Sequence, residues 1–383
     1  MTGRRVAFLV CHLMGTGHLV RCLALARAAL AEGAEALVIS GGRPLAHLAS
    51  ADVPLIQLPP LAIRDGDYRT LRTPEGNVAS DRYVAARRDR IASELAAFRP
   101  DALVTELFPL GRRPLAAEFQ GAIAAARRAN PQVVVASSVR DVPEPKPKRL
   151  PEVAGRLRSD FHAVLVHGDE AVLPLWRTWP LPEDLRPIVH HCGYVAAGPK
   201  PPAVSAPPGR TVLVSTGGGA LGRPLLTAAA QAAAQSDRPW RLLVGGGDAT
   251  AIAADLTTRF AHRTLTVEPA RTDFPALLAT AAVSISLAGY NTLLDIAATE
   301  TPAILCPSTD AGDREQTIRA RHFARFPGIT CLEAEEISAD ALARQAEAAA
   351  LGPRRKPLPM AFQDGAGLAI RTLLGLIERR SAA

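Results

Sequence analysis

The chain has 383 residues, 48% of them hydrophobic and 21% charged, with 44 basic against 37 acidic side chains and a net charge of +7. Such a length suits two domains of moderate size, and the composition excludes a disordered chain. No apolar run reaches the roughly 18 residues that span a bilayer, and the five cysteines (Cys11, Cys22, Cys192, Cys306, Cys331) form no CxxC pair.

A disulfide framework and a zinc ribbon therefore lose support, and a reducing cytoplasm is expected. The start, Met1 to Val10, reads as a first strand and not as a signal peptide. The basic excess is almost all arginine, since the only lysines are Lys146, Lys148, Lys200 and Lys356. It permits an anionic partner or a membrane surface. Nucleic acid is not expected as a partner.

Along the first half, short apolar runs bounded by Gly, Pro or Asp read as buried parallel strands at Val6–Cys11, Ala36–Ser40, Leu55–Leu58, Ala102–Thr105, Val133–Ser137, Ala163–His167 and Ile188–His190. Helical patterns lie between them at His18–Ala31, Asp81–Phe98 and Arg113–Arg128. A long loop is expected over Leu61–Ser80 and a solvated, basic, Pro-rich loop over Asp141–Arg149. The stretch from Ala196 to Gly209 carries five prolines and reads as a linker. Strands then resume at Thr211–Ser215, Arg241–Val244, Thr264–Val267, Val283–Leu287 and Ala303–Cys306, with helices between. The repeated βα order implies an α/β protein of two tandem doubly wound, Rossmann-like parallel-sheet domains facing an interdomain cleft. The expected bounds are 1–195, a linker at 196–210, and 211–383, with the last helix, 366–380, free to pack back on the first domain.

Four strand-to-helix turns have chemical content. Cys11-His12-Leu13-Met14-Gly15-Thr16-Gly17-His18 follows the first strand, where glycines let backbone approach a ligand. It is neither GxGxxG nor a P-loop, so a dinucleotide or a triphosphate is disfavoured. His18 at a helix start is held neutral by the dipole and can accept a proton near pH 7; an ordinary capping histidine is the alternative. Thr216-Gly217-Gly218-Gly219-Ala220 opens the second domain with the same physics. Gly289-Tyr290-Asn291-Thr292 begins a helix whose amides can hold a diphosphate, and Asp295, one turn after Asn291, can accept ribose hydroxyls. Asp313-Arg314-Glu315-Gln316 clusters groups that suit a sugar. Glu106, at a strand end, faces either a site or solvent. Arg21, one turn after His18, is expected at the surface. His190 and His191 alternate on a strand with no matching carboxylates, so no metal site is assigned, and Asp65-Gly66-Asp67 is only a chance DxD.

Taken together, these turns resemble the GT-B glycosyltransferases, in the branch that contains the UDP-GlcNAc transferase of lipid II synthesis. Gly15-Thr16-Gly17-His18 and Thr216–Ala220 resemble that family's two glycine loops. Gly289 through Asp295 is similar to its nucleotide motif, with Asp295 where the family has a glutamate. Asp313–Gln316 resembles its donor-sugar motif, with Glu315 replacing a glutamine. Gly17 to Ala26 also resembles the UDP-sugar hydrolase of pseudaminic acid synthesis.

The resemblance implies an inverting, metal-independent transfer from a UDP-sugar to a hydroxyl acceptor, with no cofactor. His18 would be the base and Glu106 its rival. Gly15, Gly17, Thr216, Gly217, Gly218, Gly219, Ala220, Gly289, Asn291, Thr292 and Asp295 would face the nucleotide; Asp313, Glu315 and Gln316 would face the sugar. The acceptor, whether lipid-linked, a glycan or a small molecule, stays open. So do hydrolysis and non-catalytic binding of a nucleotide-sugar. The implied location is the cytoplasm, or peripheral on the inner face of the membrane.

Overall fold

A computed structural model describes residues 3–13, 17–45, 52–64, 67–196, 209–219, 221–308 and 314–382. The chain divides into two units, 1–198 with 363–383, and 199–362.

In the first unit the short apolar runs become β1 (Arg5–Val10), β2 (Glu35–Ser40), β3 (Leu55–Gln57), β6 (Ala102–Glu106), β7 (Val134–Arg140), β8 (Ala163–His167) and β9 (Val189–His191), while β4 (Ala62–Arg64) and β5 (Asp67–Arg72) form a separate hairpin. The seven strands pair in the order β3-β2-β1-β6-β7-β8-β9, and every pair in this sheet is parallel. Residues of opposite parity feed two cores. Val6, Phe8, Ala102, Val104, Ala136 and Leu165 pack against α1 (Gly17–Ala31) and α11 (Gly365–Ala382). Ala7, Leu9, Leu103, Val135 and Val164 pack against α2 (Asp81–Phe98), α3 (Ala116–Ala129) and α4 (Leu150–Asp160).

The second unit repeats the plan. Its strands β10 (Val212–Ser215), β11 (Trp240–Val244), β12 (Leu265–Pro269), β13 (Val283–Ser286), β14 (Ala303–Leu305) and β15 (Ile329–Cys331) run in the order β12-β11-β10-β13-β14-β15. One face is covered by α5 (Arg223–Ala233), α6 (Ala249–Arg259) and α10 (Ala339–Leu351). The other helices are α7 (Phe274–Thr280), α8 (Tyr290–Ala297) and α9 (Glu315–Phe323).

Both sheets are doubly wound, so each has one place where the strand order reverses: between β1 and β6, and between β10 and β13. At the carboxyl ends of those strands the connections leave toward opposite faces and open a crevice, the usual place for a ligand in such sheets.

The last helix, which the sequence left free to pack back, is part of the first unit: Ala369, Ile370, Leu373 and Ile377 are buried with α1 and the first sheet. Two loop expectations change. The long loop at Leu61–Ser80 contains the β4–β5 hairpin. Asp141 and Val142 are fully buried, so the Pro-rich stretch after β7 starts inside the protein. All five cysteines are free thiols, four of them buried. Among the described residues no helix is long and apolar enough to cross a membrane.

One buried ion pair ties α2 to α3. Arg87 Nε and Nη2 donate to the two oxygens of Glu118 at 2.8 and 2.7 Å, and Nη1 donates to the carbonyls of Gly41 (3.1 Å) and Pro59. Neither side chain is more than 1% exposed. Removing one partner strands a buried charge. Glu118→Ala should therefore destabilise the first unit by about 3–5 kcal/mol, read as a lowered midpoint in urea unfolding followed by near-UV circular dichroism.

Candidate active site

The first crevice is built around Glu106. It ends β6 beside the order reversal and is fully buried. Its parity continues the row Ala102, Val104, so its side chain falls on the α1 face of the sheet. There His18, Arg21 and Cys22, at helical spacing i, i+3, i+4, converge on its carboxylate. His18 Nδ1 lies 2.9 Å from Glu106 Oε1, Arg21 Nη2 donates to the same oxygen, and the Cys22 thiol points at Oε2 from 3.8 Å. From the neighbouring strand the Ser138 hydroxyl donates to Oε2 at 2.6 Å. Ser138 is the register partner of Glu106 in β7. The same hydroxyl accepts from His167 Nε2 at 2.8 Å, at the end of β8.

This placement overturns one expectation. Arg21 is not a surface arginine; it is 5% exposed and paired with Glu106. Of the two alternatives for Glu106, the structure has it buried at the crevice and not solvated. The sequence reading also missed Ser138, His167 and Arg112. The available signal was polar residues at the carboxyl ends of β6, β7 and β8 in otherwise apolar strands, at the edge where these folds bind ligands.

The electrostatics assign the protons. Burial alone would raise the Glu106 carboxyl, but Arg21 and the His18 hydrogen bond hold it well below the usual carboxylate range. It is an anion at any working pH. Burial, and then the Arg112 guanidinium, push His18 down to about 3 against the opposing pull of Glu106, so its ring is neutral. Glu106 can only accept and Arg21 Nη2, 3.2 Å from the same Nδ1, can only donate; the shorter contact, to the anion, favours the tautomer in which Nδ1 carries the hydrogen and donates to Oε1. An unprotonated Nδ1 would set its lone pair against that of the carboxylate at 2.9 Å. The second ring nitrogen, Nε2, is left basic, and among the described residues it has no hydrogen-bond partner. His167 is likewise driven down to about 3, by burial and then by Arg21, and is neutral.

The second crevice is made chiefly of backbone. After β10, Gly217 (φ 71°) turns the chain; its N–H donates to Ser215 Oγ at 3.1 Å, and Gly245 N–H donates to Thr216 Oγ1 at 3.1 Å. A Cβ on Gly245 would lie 2.0 Å from the Gly217 carbonyl oxygen, so the loops after β10 and β11 approach as only glycine allows. Across the order reversal, Gly289 caps α8. The Thr292 hydroxyl would stand 3.4 Å from a Cβ on Gly217 and 3.7 Å from one on Gly289, which brings the two predicted glycine turns together. Gly218, Gly219 and Asn291 are exposed, and Asp295 is half-buried on α8. Burial alone raises Asp295 to about 6.

Arg319 of α9 donates to the Ala288 carbonyl at 2.9 Å and fixes the approach to α8. Glu315 is buried, and Gln316 Oε1 accepts from Ser308 N–H at 3.2 Å, so Gln316 is partly committed to its own loop. Gly15 with Met14 and Thr16, Ala220, Asp313, Asp65-Gly66 and most of the linker lie outside the described residues. Gly17 opens α1. His191 Nε2 accepts from Leu175 N–H at 3.1 Å, a structural use. Among the described residues no cluster of three or more His, Cys, Asp or Glu is arranged to hold a metal ion.

Residues 211–367 match the glycosyltransferase family 28 C-terminal domain. A stretch of 99 residues is 33% identical to the UDP-N-acetylglucosamine–N-acetylmuramyl-(pentapeptide) pyrophosphoryl-undecaprenol N-acetylglucosamine transferase of Bradyrhizobium diazoefficiens; it covers 26% of this chain and 27% of that relative. Among solved structures, Acinetobacter baumannii MurG superposes with a TM-score of 0.55 at 16% identity, over 98% of this chain and 99% of that one. A UDP-glucosyltransferase from Polygonum tinctorium capable of glucosylating indoxyl gives 0.64 at 17% identity, over 98% and 99%. CalG4, the calicheamicin glycosyltransferase, gives 0.58 at 15%, over 99% and 95%. At such identities the likeness establishes the shared GT-B fold.

The raised Asp295 has a measurable consequence. Its folded value of about 6 lies above the ordinary 3.8, so the folded state holds the proton more tightly. Stability attached to this group is present below pH 3.8 and is lost as pH rises through about 6. Asp295→Asn should raise the melting temperature at pH 7 to 8 and leave it nearly unchanged at pH 4. A melting curve that shifts equally at both pH values would show that the acid is not desolvated.

Proposed function

We propose that this GT-B chain, whose segment 211–367 belongs to the glycosyltransferase family 28 C-terminal domain, is an inverting, metal-independent glycosyltransferase that uses a UDP-sugar. One observation carries the reading: at the first order reversal His18 is neutral, its Nδ1–H is committed to Glu106 at 2.9 Å, and Nε2 is left to take a proton. The family matched and the neighbours named are transferases, which favours transfer over hydrolysis and over binding without turnover.

The acceptor hydroxyl gives its proton to His18 Nε2 as its oxygen bonds to the anomeric carbon. The bond from that carbon to the β-phosphate breaks, the electron pair leaves with UDP, and configuration at the carbon inverts. Glu106 is the positioning residue. It fixes the tautomer and stabilises the imidazolium that forms, the role an acid plays behind histidine in hydrolytic triads. It is too weak a base to take the proton itself. The amides of Gly217–Gly219 and of the α8 start hold the diphosphate in place of a metal. Asp295 accepts ribose hydroxyls, and the loop from Asp313 to Gln316 meets the sugar. The Bradyrhizobium relative's name supports N-acetylglucosamine as the first donor to try.

His18→Ala should keep the rise in melting temperature that UDP causes and lose ~10²-fold or more in turnover. Intact turnover in that variant would remove the histidine from the chemistry. Turnover should also survive EDTA, assayed by release of UDP from UDP-GlcNAc with cell extract as acceptor source; loss on chelation, restored by magnesium or manganese, would overturn the metal-independent route.

A further inference from the structure

Between Glu106 and α3 the chain makes a loop that holds one side chain in a costly place. Leu107 (φ 68°) and Arg112 (φ 59°) both take left-handed backbone, which is strained in non-glycine residues. The loop is tied by its own backbone: Gly111 N–H donates to Leu107 O at 2.6 Å, Leu115 N–H to Arg112 O at 2.9 Å, and the Thr105 hydroxyl to Phe108 O at 2.9 Å. None of these bonds uses the Arg112 side chain.

That side chain lies in the first crevice. Its charge acts on Cys11, Glu106, Arg140 and Arg21, and it is the strongest charge acting on His18. Its Nε and Nη2 are buried, and among the described residues neither has a hydrogen-bond partner. These two atoms form one edge of the guanidinium, whose parallel N–H groups fit the two oxygens of a carboxylate or phosphate. The protein uses that same edge for a carboxylate in Arg87–Glu118, Arg158–Asp184, Arg238–Glu347 and Arg271–Asp273. Glu106, whose charge acts on Arg112, is already engaged by His18, Arg21, Ser138 and Cys22. An arginine cannot shed its proton to escape burial. A buried fork with no partner, held by strained backbone beside the base, is built for an anion that arrives with a ligand.

We infer that Arg112 anchors an oxyanion subsite in the first unit, and that the acceptor carries a phosphate or carboxylate group near the hydroxyl that reacts. Assigning the anion to the acceptor rests on the transfer reading; the subsite itself does not. Bidentate contact with Arg112 would place the acceptor hydroxyl within reach of His18 Nε2 and select against neutral acceptors.

The test is calorimetric titration of the full chain with inorganic phosphate, and separately with acetate, with and without saturating UDP. Wild-type protein should bind one of the two anions at one per chain, and UDP should not displace it. Arg112→Gln should weaken that binding roughly tenfold or more, with UDP affinity unchanged and a melting temperature no lower than wild type. Equal anion affinity in the variant, or no binding of either anion, overturns the subsite. Displacement of the anion by UDP overturns the acceptor assignment, since the donor's own diphosphate would then hold Arg112. A fall in melting temperature with anion binding intact would make Arg112 structural. Failure of UDP to bind wild-type protein would sink the transfer reading and leave the anion titration readable on its own.

Discussion

A single buried carboxylate organises the first unit's crevice. Glu106 lies where the sheet reverses its strand order, with no exposed surface. A lone carboxylate there would be prohibitively costly, so the fold must supply positive charge and hydrogen bonds on every side. It does so from two directions. One helical face of α1 delivers His18, Arg21 and Cys22, and β7 delivers Ser138, itself backed by His167. The helix, its register against the sheet and the tautomer of the histidine are therefore set by one anion. Removing it would leave Arg21 buried without its partner, which makes Glu106 at once a stability element and a positioning group.

The second unit meets the same topological position with different means. The sheet reverses between β10 and β13, but among the described residues no buried carboxylate ends either of those strands. Glycines let Gly217 and Gly245 pack backbone on backbone, and Thr292 bridges toward Gly289. The donors on offer include exposed amides, and Asp295 of α8 is half-buried with burial as its sole perturbing influence. Amides and a helix start favour an anion without presenting a competing charge. The first unit thus offers a buried side-chain cluster and the second a backbone cradle, two different means at the same topological position.

The twelve strand positions and the three early helices were readable because a buried parallel strand is a short apolar run with sharp ends. The turn at Gly217 was readable because few other residues permit its φ of 71°. What escaped notice depends on pairing that sequence does not display. The β4–β5 hairpin is short, mixed in polarity and outside both main sheets. The last helix carries an apolar face that either unit could have claimed; only the packing of Ile370 and Leu373 decides. Arg21 looked like a surface residue because its spacing from His18 was visible and its partner, 85 residues away, was not. Ser138 and His167 sit on the same face as the apolar rows Ala136 and Leu165, so parity could have pointed to them once Glu106 was taken as inward-facing.

The weakness of His18 as a base explains why Arg112 belongs to the site. An imidazole held at about 3 is reliably neutral, yet it is poorly matched to take a proton from a hydroxyl at pH 7. Burial is the larger cause and is fixed by the fold. Arg112 is the larger of the two charges that lower it, Arg21 the smaller, while Glu106 opposes both. An anion seated on the Arg112 fork would offset that repulsion and raise the histidine only when a ligand is in place, against the burial that the fold fixes. The base would then be inert in the unliganded protein and strengthened by its own substrate, which suppresses attack by water on a bound nucleotide-sugar. Under the proposed transfer such coupling would favour the acceptor over water, and the left-handed backbone at Leu107 and Arg112 would be its structural cost.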